Sequence, residues 1–372
     1  MMGFPKGGYT GKVLRVNLSE RRVSEDSVAP DILYQFIGGT GLGIRLLYDE
    51  LKPGTDPYSP ENRIIFTTGP LTGTLVPGSG TYAVISKNTL TGLAVAAQAN
   101  GFFGARLKYA GYDAIIIQGR SDGPVYLHIE DGKAELVDAS GIMGKDTFET
   151  DTLLRKKYGE DEIENRISLA AIGPAGENLV RFACIVSDRG HVASSGGVGA
   201  IMGSKNLKAI VVHGSKGVPI DRGDVMSFFD LVKQWREEAK NTPVGKTVAN
   251  YGTIGFFIPY HSKGWVPVKN LTTNIFPGEE AFEAEYVREK LCKAKPRSCH
   301  GCTFHHCHTV QVKKGIYKGF VGEEPEYEIF AGFGPNWGIY DPGAVIMLNN
   351  VNDRLGMDAK EATFVVSMIM EG

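Results

Sequence analysis

The feature that most constrains the fold is a near-repeat inside the first half of the chain. One segment starts at Asn62-Arg63-Ile64 and runs through β-rich residues into Gly69-Pro70. It closes with Leu107-Lys108 and the β-branched run Ala114-Ile115-Ile116-Ile117-Gln118 before Gly119. A second segment starts at Asn165-Arg166-Ile167, runs into Gly173-Pro174, and closes with Leu207-Lys208 and a β-branched run before Gly214. Two units that open and close alike, each with a Gly-rich loop between its ends, imply two related sheet units. Further strand patterns run from Gly11 to Leu18 and from Val125 to Val137. Residues 1–214 are therefore expected to form one sheet-rich domain of two related halves.

After Pro219 the pattern becomes helical. Val225, Phe228, Phe229, Val232 and Ala239 follow helical spacing, and Pro243 stops that run. Asp341-Pro342 sets an N-cap ahead of a proline at the first helical position. Ala344, Val345, Leu348, Val351 and Leu355 form the expected buried stripe, and Gly356 is placed to end the helix. Asp358 and Glu361 then open a last helix, whose apolar Phe364, Val365, Met368 and Ile369 need cover. The expected fold class is α+β: a sheet-rich domain over 1–214, followed by an incomplete, mainly helical domain over 215–372.

Bulk composition removes several functions. With 40 basic and 42 acidic residues, the net charge of −2 offers no electrostatic reason to bind nucleic acid or an anionic membrane. No apolar run is long enough to span a bilayer, and the opening residues contain no signal-peptide core. The 5 cysteines are odd in number and clustered, which argues against a secreted disulfide framework and for a reducing, cytoplasmic setting.

Cys299, Cys302 and Cys307 fall within nine residues. Thiolates this close are soft ligands for zinc or an iron–sulfur cluster. A cluster would need a distant fourth cysteine, whereas zinc could be completed by His300, His305, His306 or His308. An idle set of reduced cysteines is the bland alternative. Asn349 and Asp353 are four apart on the helix after Pro342, with Asn352 beside them. A carboxylate there could accept two parallel N–H bonds from an amino-pyrimidine edge; a solvated helix face explains the same residues. Glu323, Glu324, Glu326 and Glu328 crowd one short stretch. On an extended segment Glu326 and Glu328 would point the same way and raise each other's pKa, which suits proton transfer; an acidic surface loop is the alternative. The runs Gly38–Gly43 and Ser194–Gly199 could approach phosphate, although such motifs are more often turns; the first follows no clear strand and lacks the spacing of a dinucleotide fingerprint.

Taken together, these motifs resemble the tungsten-containing aldehyde:ferredoxin oxidoreductase family. The residues that carry the resemblance are Gly8 to Lys12, Ile37 to Gly43, Gly69 to Gly73, Leu107 to Ile117, Ile172 to Asn178 and Gly196 to Lys208. The cysteine run, Glu326-Tyr327-Glu328 and Asp353 to Asp358 complete the set. The resemblance implies a tungsten (or molybdenum) bis-pterin, a neighbouring [4Fe–4S] cluster on Cys299, Cys302 and Cys307, and Mg2+ at the pterin phosphates. It implies a saddle-like sheet base with a pseudo-twofold axis, covered by helical domains. It assigns pterin contacts to Asn352, Asp353, Gly356 and Met357 through the D-x-x-G motif, and to Thr81, Gln98, Asn100, Gly101, His191 and Val192 on the sheet base. Of the Glu326–Glu328 pair, the spacing to Asp353 selects Glu328 as the carboxylate near the metal. The implied reaction oxidises an aldehyde to a carboxylic acid and passes electrons through the cluster to ferredoxin or a ferredoxin-like subunit.

The chain departs from the family pattern in several places. The second cysteine gap holds four residues where three are usual. Thr81 and His191 stand where arginines commonly meet the pterin phosphates. Gln98-Ala99-Asn100-Gly101 replaces an Asn-Ser-Gly-Gly-like loop, and Met347 occupies the place of a metal-binding glutamate. Family chains are much longer. The expectation is therefore a fragment or one piece of a split enzyme, homo-oligomeric or completed by a C-terminal chain, with Cys292 an ordinary buried thiol rather than a substitute ligand. A non-catalytic pterin or electron-relay subunit and a zinc-stabilised binding module are the competing functions.

Overall fold

The computed structural model describes residues 3–158, 167–221, 223 and 225–372. It divides into two compact units. The first holds residues 1–232 with Cys299–Gly301 and Arg354–Met357; the second holds the remainder.

In the first unit the near-repeat is a duplication of topology. The leading half runs β1 (Lys12–Asn17), β2 (Arg22–Ser27), α1 (Pro30–Phe36), α2 (Gly39–Glu50), β3 (Ile64–Thr67), β4 (Tyr82–Lys87), β5 (Ala94–Ala99), α3 (Phe103–Tyr109) and β6 (Ala114–Gln118). The trailing half runs β7 (Val125–Glu130), β8 (Lys133–Asp138), α4 (Thr147–Lys157), β9 (Ile167–Ala171), α5 (Pro174–Glu177), β10 (Ile185–Ser187), β11 (His191–Ala193), α6 (Val198–Ser204) and β12 (Leu207–His213). Each half makes a six-stranded sheet, β2-β1-β6-β3-β4-β5 and β8-β7-β12-β9-β10-β11. In each, the closing strand pairs parallel to the first strand and antiparallel to the strand entering Gly-Pro. The repeat thus also includes the leading hairpins, β1–β2 and β7–β8. Asn165 and Arg166, which open the second copy in sequence, lie outside the described residues.

Alternation along the strands sorts side chains between two layers. Leu14, Phe66, Ile115 and Ile117 of one sheet share a core with Leu127, Ile185, Ile210 and Val212 of the other. The alternate residues face outward: Val13, Ile65 and Ile116 pack on Leu42 and Leu46 of α2, and Leu169 and Val211 on Leu154 of α4. The helices cross over, with α3 packing against β9 and β12, and α6 against β3 and β4 as well as β12. The Gly38–Gly43 run proves to be helix packing, not a phosphate loop: a Cβ on Gly43 would sit 2.2 Å from Ile85 Cγ1. Gly196 and Gly197, in the second Gly-rich run, take left-handed backbone in the turn into α6.

Helix α7 (Val225–Asn241) straddles the boundary between the units, and of its expected stripe only Val232 is buried. The second unit continues with α8 (Pro243–Tyr251) and α9 (Phe257–His261); Pro243 starts α8 besides ending its predecessor. A three-stranded antiparallel sheet follows, with β13 (Cys292–Pro296), β14 (His308–Val312) and β15 (Val321–Glu323). Its short strands leave no clear mark in the sequence. Helices α10 (Tyr327–Phe333), α11 (Pro342–Leu355) and α12 (Ala359–Glu371) complete the unit. Asp341 and Asp358 cap α11 and α12 as expected, and Gly356 takes a φ of +76°. The core is aromatic, with Phe257, Phe276, Phe282 and Phe330 fully buried.

The buried face of α11 agrees with expectation at its start, where Ala344 and Val345 are buried, and departs from it towards its end. Val351 and Leu355 are exposed, whereas Asn349, Asn350, Asn352 and Asp353 are buried. Periodicity identifies a helix, but a polar face can be buried wherever its hydrogen bonds are met. On α12, Phe364, Met368 and Ile369 are exposed.

Candidate functional site

In the first unit most of the expected cofactor residues gather at the edge strands β5 and β11, which approach one another. Thr81 Oγ1 donates to Asn100 Oδ1 at 2.6 Å, bridging the ends of β4 and β5. Gly101 follows with a φ of +94°, and a Cβ there would stand 2.7 Å from His191 Cδ2. Glycine is required on both counts, backbone sign and space. His191 opens β11 and is buried; Val192 pairs with Val186. Gln98 turns elsewhere, its amide donating to Thr40 Oγ1 at 3.1 Å.

The start of the cysteine run packs on this edge. His300 N donates to Gly101 O at 3.0 Å, and a Cβ on Gly301 would meet Ser79 Oγ at 2.4 Å. Cys299 Sγ lies 3.9 Å from His191 Nδ1. Thr81, Asn100, Gly101, His191 and Cys299 therefore share one neighbourhood. Gly356 and Met357 lie against other loops of the unit. Gly356 O accepts from Cys184 N at 2.9 Å, Met357 bridges to Ala183, and Gly356 closes on Gly173.

One residue that organises this edge was missed in the sequence. Asp188, in the turn between β10 and β11, accepts from Phe102 N at 3.1 Å and Ser168 Oγ at 2.7 Å, and pairs with Arg155 at 2.8 Å. It ties the loop after Gly101 to the loop before His191. A carboxylate in a Ser-Asp-Arg-Gly turn was the available signal.

In the second unit two clusters form. At the end of α11, Asn349 Nδ2 donates to Asp353 Oδ2 at 3.2 Å. Burial, and then the charge of Glu323, push the Asp353 carboxyl well above its ordinary value. Asn350 holds β15, accepting from Glu323 N at 2.9 Å and donating to Glu323 O. This polar face is built inside the unit rather than solvated.

The other cluster centres on His306. Its Nε2 lies 3.5 Å from Cys307 Sγ and 3.4 Å from Glu326 Oε1, and the ring also hydrogen-bonds Cys302. Those bonds, to Cys302 first and then Glu326, push the imidazole up to about 10. His306, Cys307 and Glu326 place one donor atom each within 4.8 Å of one another, close enough to hold a metal ion. Arg288, in a π-helical turn (Tyr286–Leu291), fixes the cluster from behind. It grips Glu324 with Nε at 2.8 Å and Nη2 at 2.6 Å, and donates to His306 O at 3.1 Å and Asn250 O at 2.6 Å.

The Glu326–Glu328 reading needs correction. The segment is not extended: Glu326 is the N-cap of α10, and Glu328 lies in its first turn, exposed. The two carboxylates do not share a pocket. Burial acts to raise the Glu326 carboxyl, but hydrogen bonds from His306 and the Thr253 hydroxyl outweigh it and hold it below its ordinary value. The partner of Glu326 is a histidine, not a second glutamate. Cys292 is a buried thiol on β13, pushed up to about 12 by burial, and Cys184 is likewise buried.

Residues 13–214 match the family model described as "Aldehyde ferredoxin oxidoreductase, N-terminal domain". The chain belongs to the aldehyde ferredoxin oxidoreductase family. Residues 230–372 match the model for domains 2 and 3 of the same family. The chain is 41% identical to a tungsten-containing aldehyde ferredoxin oxidoreductase of Pyrococcus furiosus, over 98% of this chain and 58% of that relative. It is 34% identical to an aliphatic sulfonate oxidoreductase, WOR-like subunit, of the same organism, over 94% of this chain and 57% of that one. A solved structure, the active site complex BamBC of benzoyl coenzyme A reductase with 1,5-dienoyl-CoA, is similar at a TM-score of 0.84 and 27% identity. It covers 99% of this chain and 56% of that one. The chain thus spans a little over half the length of these relatives. The α+β architecture with two related sheets, expected from the sequence, is the fold observed. Among the described residues no helix is long and apolar enough to cross a membrane.

Proposed function

We propose that this chain forms the cofactor-binding part of an oxidoreductase that converts aldehydes to carboxylic acids. Aldehyde and water give acid, two protons and two electrons. The single observation that carries the reading is the buried polar end of α11. Its Asp353 is desolvated, and a carboxyl so placed gains from a bidentate N–H donor such as the amino-pyrimidine edge of a pterin. Asn352, Asp353, Gly356 and Met357 would hold one pterin; Thr81, Gln98, Asn100, Gly101, His191 and Val192 would serve on the sheet edge. The left-handed Gly101, closed against His191, supports a backbone approach to phosphate there, with Mg2+ as counter-ion. A bound tungsten, or molybdenum, would supply two-electron chemistry.

The cysteines fit an iron–sulfur cluster in type and in access. Cys299, Cys302 and Cys307 are all partly exposed, unlike Cys184 and Cys292, which are buried. They would pass single electrons to ferredoxin or a ferredoxin-like subunit. Glu326, favoured over Glu328 by its bond to His306, would hold and release the proton. Two relatives support work alongside other subunits, since one is called a WOR-like subunit and the other belongs to the BamBC complex. The cytoplasm is the proposed compartment. A zinc site is the second reading, favoured by the His306–Cys307–Glu326 grouping.

The test is anaerobic purification, assay of W, Mo, Fe, Zn and acid-labile sulfide, and aldehyde-dependent reduction of a viologen dye. Tungsten with iron and sulfide supports the proposal. Stoichiometric zinc without sulfide overturns it.

A further inference from the structure

His306 immediately precedes Cys307, and the structure gives that imidazole specific neighbours. Its Nε2 stands 3.5 Å from Cys307 Sγ. The same Nε2 is 3.4 Å from Glu326 Oε1. The ring is held on several sides. Arg288 fixes its backbone carbonyl at 3.1 Å. Gly252 leaves room for that arginine, since a Cβ there would come within 2.8 Å of Arg288 Nη2 and 3.2 Å of His306 O. Thr253 takes the other oxygen of Glu326, and donates no further flexibility to it because Tyr327 N binds the same hydroxyl at 2.9 Å. The imidazole is 24% exposed, so water competes weakly for its N–H.

We propose that His306 is a tuning residue for the redox centre on the cysteine run: its Nε2–H, shared between the Cys307 sulfur and Glu326, is the donor that draws charge from that sulfur. The inference rests on the reading that these cysteines hold an iron–sulfur cluster. An N–H bond to a ligating sulfur draws charge from it and stabilises the reduced, more negative state, which raises the reduction potential. His306 would be a positioning and tuning group, not a ligand.

The experiment compares wild type, His306→Leu and His306→Gln, each purified anaerobically as the full chain and reconstituted with iron and sulfide. Iron and sulfide content and the far-ultraviolet circular dichroism are measured first. The midpoint potential then follows from an EPR-monitored redox titration. The expected result is equal iron and sulfide in all three. His306→Leu should shift its reduction equilibrium about tenfold toward the oxidised form, about 59 mV lower for one electron. His306→Gln, which keeps an N–H donor, should fall between. An unmoved potential in a correctly loaded His306→Leu overturns the inference. So does loss of iron from folded His306→Leu and His306→Gln, which would make His306 a ligand. Should His306→Leu fail to fold, the His306→Gln potential decides: a value below wild type supports the inference, and an unshifted one overturns it. Wild type that takes up no iron or sulfide overturns the cluster reading itself, and is told apart from these outcomes at the first measurement.

Discussion

Replacing Arg288 with alanine should be among the most damaging single changes in the second unit. Arg288 and Glu324 are 7% and 4% exposed, and the guanidinium meets the carboxylate through two nitrogens. Removing one partner of such a pair leaves a buried, uncompensated charge, at about 3–5 kcal/mol. The carbonyls of Asn250 and His306 also lose a donor but sit where water can replace part of it. A total near 4 kcal/mol lowers the melting temperature of a unit this size by roughly 14 °C. The internal control is Arg45, paired with Asp49 four residues on, both over a third exposed. Arg45→Ala should cost only about 0.3–0.5 kcal/mol. The double variant Arg288→Met with Glu324→Leu should recover most of the loss, since no charge is then stranded. Urea unfolding followed by tryptophan fluorescence measures all four. If Arg288→Ala costs no more than Arg45→Ala, the pair is not buried and coupled as described, and the clamp on the cysteine run falls with it.

The remaining predictions concern separate sites. Asp353→Asn should stabilise the cofactor-free chain at neutral pH: the raised carboxyl gives stability present below its ordinary range and lost as pH rises through its folded value. The same variant should bind less pterin, and thermal melts from acid to neutral pH with cofactor assay check both. Lys205, pushed down to about 7 by burial, should make the protein more stable as pH rises from about 7 towards its ordinary 10.5, where only the unfolded chain stays protonated. Lys205→Met should flatten that slope in denaturant titrations. Cys302→Ser should lose iron and sulfide on reconstitution, whereas Cys184→Ser, buried in the first unit, should keep both. Gly101→Val should weaken cofactor retention and cost at least about 1–2 kcal/mol, because its backbone is left-handed and its Cβ would strike His191.

The duplicated sheets were legible because strand periodicity and Gly-Pro leave local marks. Their leading hairpins were harder to assign: β2 reads Arg-Val-Ser-Glu-Asp-Ser, a solvent-facing edge with almost no apolar alternation. The caps of α11 and α12 are local chemistry and were read directly. The side of α11 that turns inward was not, since that depends on what covers it and not on spacing along it. Glu326 and Glu328 were misjudged for a related reason. One residue of helix separates a cap bonded to a histidine from an exposed first-turn carboxylate, and the histidine lies twenty residues upstream. Asp188 escaped notice because its partners, Arg155, Ser168 and Phe102, are distant in sequence.

The crossing of α3 onto β9 and β12, and of α6 onto β3 and β4, has a consequence for how the first unit folds. Each half leaves part of the inner face of its sheet to be covered by the other's helix, so an excised half would present an open apolar patch and a bare strand edge. Such a half should be soluble only by pairing with another copy, which would restore the missing layer from outside. Within one chain the two copies stand in that relation permanently. Unfolding of one should therefore bring down the other in a single transition, with no stable half-molecule on the way.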